Sequence, residues 1–140
     1  MSPRKSFLKA KDGASAVEFA LIAPMFFMVL LTMLAFGIYL SAANSVQQIA
    51  ADAARSAVAG INATERKALV TAYVNTTTFN HPLIRRERLT VTSLDDPLNP
   101  NQFTVSVDYD ARDLPIWNLM TFALPDTIIA RSATIRIGGA

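Results

Sequence analysis

From Phe19 to Leu40 the chain carries no charged residue, and after Glu18 the next charge is Asp52. At about 1.5 Å per residue, the 22 residues 19–40 make a helix of roughly 33 Å, enough to cross the hydrocarbon core of a bilayer. A chain of 140 residues with such a run has room for one span and one small domain beside it. The bases Arg4, Lys5, Lys9 and Lys11 precede the run, with Asp12 the one acid among them. Short basic segments stay in the cytoplasm, so these four orient the N-terminus inward and the C-terminal part is exported. A cleavable secretory signal is the plainest alternative. Gly37 and Ser41-Ala42-Ala43 supply small residues for a cut, but the apolar run exceeds the 7–15 residues such signals use. Neither a cut signal nor an uncut anchor accounts for Glu18, a lone carboxylate at the mouth of the span, where an unpaired charge is costly.

Pro24 removes one helical hydrogen bond inside the span, which membrane helices tolerate. Gly37 permits close helix contact. Past Ala43 the pattern turns amphipathic. Val46, Ile49, Ala50, Ala53, Ala54, Ala57 and Val58 repeat at helical spacing, with Gln47, Gln48, Asp52, Arg55 and Ser56 mostly opposite. Gly60 fits a C-cap. One helix of about 70 Å over Ala14–Ala59 follows, greasy all round in its first half and edged with small residues in its second. The small-residue face suits packing on its own domain, with neighbouring subunits as a further partner.

Thr64 caps a second expected helix over Glu65–Asn75, with Ala68, Leu69, Ala72 and Tyr73 inward. Asn62-Ala63-Thr64 matches a glycosylation sequon, a pattern frequent by chance. Leu89–Leu94 and Phe103–Tyr109 alternate as strands, joined by the turn formers of 95–101 into an antiparallel hairpin. Leu114–Leu124 is apolar and holds Pro115, an irregular or short helical connection. Thr127–Ile137 is a third strand, in which Arg131 falls on the face of Ile129, Ala133, Ile135 and Ile137. Either Arg131 snorkels or a bulge shifts the register. The fold class is α+β: a long N-terminal transmembrane and amphipathic helix, a second helix and a small antiparallel sheet.

Composition narrows the chemistry. Of the 13 Lys and Arg, four precede Gly13, and of the 11 Asp and Glu, one does, so the remainder is nine against ten and offers nucleic acid little. With no Cys and His81 the sole histidine, zinc sites of the usual composition are excluded, and no G-x-S-x-G elbow supports a serine triad. No cofactor is implied. Asp108, Asp110 and Asp113 lack the glycine and bidentate Glu of an EF-hand and read as a solvated strand end. Arg85, Arg86 and Arg88 read as a surface patch, and Trp117, Met120 and Phe122 as core or interface.

The stretch Gly13-Ala14-Ser15-Ala16-Val17-Glu18-Phe19 resembles the prepilin-peptidase site of type IV pilin-like proteins, in the variant of the tight-adherence (Tad/Flp, type IVc) systems: Gly, four residues, Glu, then an aromatic. "GASAVEFALIAP" is similar to TadE-like pseudopilins. The resemblance continues in "AANSVQQIAADAARSAVAG" and in the Tyr-ended strand, Pro-containing connection and "ARSATIRI" near the C-terminus. It implies a leader 1–13 cut between Gly13 and Ala14, a span over 14–43, and an exported pilin-like domain over 44–140. Glu18 becomes the fifth mature residue, able to pair with the new N-terminal amine of an adjacent subunit. With Phe19 it forms the assembly and peptidase-recognition element, and Arg4, Lys5, Lys9 and Lys11 orient the leader. The implied role is a minor pilin or pseudopilin in the bacterial inner membrane, not an enzyme. Its partners would be the prepilin peptidase, other pilin subunits, the Tad inner-membrane platform and the lipid bilayer. The alternative is a single-span periplasmic binding or adhesion module, with the Trp117 region as its first candidate site.

Overall fold

In the computed structural model, residues 11–77, 81–95, 99, 101–118 and 125–137 are described. Met120 and Phe122, and the leader bases Arg4, Lys5 and Lys9, lie outside them. The chain forms a long helix α1 (Lys11–Ser56), a second helix α2 (Ala63–Thr77), and strands β1 (Leu89–Asp95), β2 (Gln102–Asp110) and β3 (Ile128–Arg136) in one antiparallel sheet of order β1-β2-β3. This is the expected α+β architecture.

α1 has two surfaces in succession. Through its first 20 or so residues its apolar side chains stand free, Leu21 being 75% and Met25 72% exposed. Thr32, inside this stretch, donates its hydroxyl to the Met28 carbonyl at 2.8 Å, so it needs no outside partner. From Ala35 a buried stripe begins: Ala35, Ala42, Ala43, Val46, Ile49, Ala50, Ala53 and Ala54. Their 3–4-residue spacing keeps them on one face. Most are alanines, and the short side chains let the helix lie close over β2 and β3. The central strand answers with Phe103, Val105, Val107 and Tyr109, all buried on every second residue. Its opposite face is polar, and the Thr104 and Thr134 hydroxyls meet across the strands at 2.8 Å.

Three local expectations change, at Val58, at the cap of α2 and on its inward face, and two others are decided, at Gly60 and Arg131. α1 gives way to a 3₁₀ turn at Ala57–Ala59, which tightens the winding and leaves Val58 57% exposed rather than inward. Gly60 does close the helix, its N–H bonded to the Ala57 carbonyl at 3.0 Å, but with extended backbone (φ −80°, ψ 127°) and not in the left-handed form. What demands glycine is proximity. A Cβ at residue 60 would lie 2.7 Å from Cγ and 2.8 Å from the backbone N of Arg66. Gly60→Ala therefore pushes α2 off its seat. The expected loss is about 1–3 kcal/mol of domain stability, measured by denaturant unfolding of the full chain in detergent; an unchanged midpoint would contradict the close contact.

The N-cap of α2 is Asn62, not Thr64. The Asn62 side-chain oxygen accepts from Glu65 N–H at 2.8 Å, and the Glu65 carboxylate accepts from Ile61 N–H, one residue before the cap, at 3.0 Å. The helix then buries Val70 and Val74, with Leu69 and Tyr73 half-buried and Ala68 and Ala72 exposed. Two valines hide more apolar area than two alanines, so they win the inward face. In β3 there is no bulge: pairing with β2 runs unbroken from Gln102↔Arg136 to Asp110↔Ile128. Arg131 sits opposite Val107 on the core face, but β3 is an edge strand, and the guanidinium turns outward to the Ala130 carbonyl at 2.7 Å.

Candidate functional site

The residues singled out for processing lie together near the start of α1. Gly13, Ala14, Glu18 and Phe19 are all helical and exposed, and Lys11 is the first residue of the helix. Ala14 and Glu18 are four residues apart, hence on one face. Glu18 is exposed, and nothing among the described residues of the domain covers it. The helix continues from there without a break, past Pro24, to the domain that rides on its far half.

The residues considered for other chemistry have structural employment. Asp110 and Asp113 are not simply solvated. Arg88 bridges both, at 3.0 Å to Asp110 and 2.8 Å to Asp113; Arg85 reaches Asp113 at 3.3 Å, and Arg112 reaches Asp110 at 2.5 Å. Arg86 donates instead to the Asn75 side chain at 2.6 Å. The Arg112 guanidinium and N–H, bonded to the Asp110 carboxylate, hold it well below the usual carboxylate range. These exposed pairs each contribute little, but they fasten the segment after α2 to the end of β2. The Tyr109 hydroxyl does the same from inside, donating to the Leu83 carbonyl at 3.0 Å, and burial pushes its pKa up. His81 lends its backbone carbonyl to the Ile84 N–H at 3.0 Å. Trp117 is half-buried on the core and donates its indole N–H to the Ala111 carbonyl at 2.6 Å. Among the described residues, no three His, Cys, Asp or Glu side chains gather as a metal would require.

One residue with a central part was not foreseen. Arg66, its side chain 12% exposed, binds Asp95 at 2.9 Å and lies 5.7 Å over the Phe103 ring. It ties α2 to the turn end of the hairpin, where β1 finishes and β2 starts. Its neighbours come from segments 29 and 37 residues downstream, and no local pattern marks them.

The feature that distinguishes the molecule is thus the exposed, uncharged helix with Gly13 and Glu18 at its foot. The comparison with known families falls on that feature. Residues 13–55 match the TadE-like protein family. The match runs from the glycine at the foot of α1 to Arg55, one residue short of its end, so it takes in both the bare apolar half and the stripe beneath the sheet. The TadE-like segment points to the Tad pilus system and to a single-span anchor built on one N-terminal apolar helix. No curated protein and no solved structure matches the chain. The likeness read between Tyr109 and Ile137 lies beyond the matched residues.

Proposed function

We propose that the protein is a minor pilin or pseudopilin that assists assembly of a Tad/Flp type IVc pilus. It is held in the bacterial inner membrane by a span over 14–43, with the leader cytoplasmic and the domain periplasmic. A prepilin peptidase removes residues 1–13, and the mature subunit then meets other pilin subunits and the Tad membrane platform. The observation that carries this is the continuity of one TadE-like helix from Gly13 through an uncovered apolar stretch into the domain interface.

The chemistry of assembly follows from the cut. Hydrolysis of the Gly13–Ala14 bond creates an ammonium at Ala14. That charge and the Glu18 carboxylate are each costly in lipid, and pairing between adjacent subunits offsets much of the cost while fixing their axial offset. Glu18→Ala keeps Gly13, Ala14 and Phe19, so it should leave cleavage largely intact while removing the acceptor of the pair. The expected result is a processed N-terminus at Ala14 with piliation of the host strongly reduced, read by counting surface fibres and by mass spectrometry of the same cells. Full piliation would remove the pairing role.

A further inference from the structure

The two faces of α1 change character at different heights. On the free face the helix stays apolar through Leu40, which is 55% exposed, with Phe36 at 37%. Exposed polar residues, Ser41, Asn44 and Gln48, take over only beyond it. On the covered face the domain begins lower: Ala35 is fully buried, and Ile38 and Tyr39 are half-buried against the core. The domain and the free apolar surface therefore overlap along Ala35–Leu40, about 8 Å of helix.

The topology says which part of the domain occupies that overlap. Gly60, Arg66, Asp95 and Phe103 mark the far end, where β1 finishes and β2 starts. β2 runs back from there, so the turns after Asp110 lie at the near end. The turn Pro115–Asn118 contacts α1 directly. Leu114 and Ile116 anchor it in the core, and Trp117 stands half out of it. The indole N–H is already bonded to Ala111, so the ring carries no unpaired donor toward an apolar phase. The Tyr39 hydroxyl has no partner among the described residues and needs a wet or polar one. An aromatic body with its polar tip satisfied at the water side is what the headgroup level of a bilayer favours. Arg85, Arg88 and Arg112 of this end are paired with Asp110 and Asp113, so aromatic burial rather than free charge drives the contact.

We propose that the domain seats on the membrane, with the Leu114–Trp117 corner and Tyr39 in the headgroup–acyl boundary of the leaflet from which α1 emerges. The partner is the phospholipid surface. This rests on the reading of α1 as a span and adds to it a fixed height and facing for the domain. The polar face of the sheet is left free, and a subunit leaving the bilayer for a fibre must first break the corner's contact.

Trp117 is the chain's one tryptophan, so its emission reports the corner without any substitution. The full chain is reconstituted in phosphatidylcholine–phosphatidylglycerol vesicles. In parallel samples the acyl chains carry bromine either near the headgroup end or near the methyl end. Seating predicts a clear loss of Trp117 emission with the shallow bromines and less loss with the deep ones. No loss with either, or greater loss with the deep ones, overturns it. The span is read separately from Phe27→Trp in a Trp117→Phe background, a reporter that works whether or not the domain stays folded. Deep bromines quench this reporter if α1 crosses the bilayer. A quenched Phe27→Trp with an unquenched native Trp117 leaves the span standing and removes the seating. Quenching of neither removes both.

Discussion

Phe103→Ala costs the domain about 3–5 kcal/mol. The ring is fully buried on the central strand, in the layer that faces the alanine stripe of α1, and it is also the platform beneath the Arg66 guanidinium. Truncation opens a cavity that neither neighbour can fill. The α1 side offers short alanines, and Arg66 is held by Asp95 and by its closeness to Gly60. A small domain has only about 5–15 kcal/mol in total, so a large share of its stability goes with one side chain. Leu94→Ala is the matched control. Leu94 is also an apolar strand residue, but it lies 61% exposed on the opposite face, and its loss stays within about 0.5 kcal/mol. Urea unfolding of both variants in detergent micelles, followed by circular dichroism of the sheet, reads the difference. Equal midpoints for the two would mean that the hairpin presents its other face to the helix.

Under the proposed processing, Gly13→Leu is expected to abolish release of the leader. The peptidase must bring its reacting groups to the Gly13–Ala14 peptide, and a branched side chain beside the scissile bond blocks that approach where hydrogen does not. The effect is expected to exceed any stability change, because residue 13 is exposed near the start of α1. Two consequences follow together. The four leader bases stay on the chain, and the ammonium at Ala14 never forms, so Glu18 keeps an uncompensated charge at the mouth of the span. Gly13→Leu should therefore lose pili as Glu18→Ala does, but with the leader still attached. Immunoblots of membranes with and without the peptidase separate the two: the glutamate variant shifts to the shorter form, and the glycine variant does not. A shortened Gly13→Leu chain would place the cut elsewhere.

Much of this architecture is written in local periodicity. An uncharged run announces the free helix, alanines at helical spacing announce the covered one, and the strict alternation Phe103–Tyr109 announces the central strand. Local signals also mislead where two candidates compete. Thr64 suits an N-cap by type, but Asn62 takes the place, because Glu65 three residues on gives its N–H to the Asn62 side chain and accepts from the Ile61 N–H. The inward face of α2 is a similar contest between Ala68–Ala72 and Val70–Val74, decided by area. Non-local contacts leave no such trace. Gly60 reads as a helix stop, yet its need for a hydrogen side chain comes from Arg66 folding back on it. Arg85 and Arg88 read as a surface patch, and Asp110 and Asp113 as a separate acidic one, because the pairing bridges 22–28 residues of chain. The position of Gly13 and Glu18 at the foot of α1 was the easiest part to read, since it follows from one uninterrupted local helix and not from contacts made by the folded domain.

The most direct measurement of the account is the mature N-terminus. The chain is expressed with and without the prepilin peptidase of its own Tad system, and the membrane-embedded product is analysed by intact-mass spectrometry. The account predicts the full-length chain without the peptidase and, with it, a chain beginning at Ala14 that remains in the membrane fraction. A chain that still begins at its leader in the presence of an active cognate peptidase, or one cut beyond the apolar run and released, contradicts it.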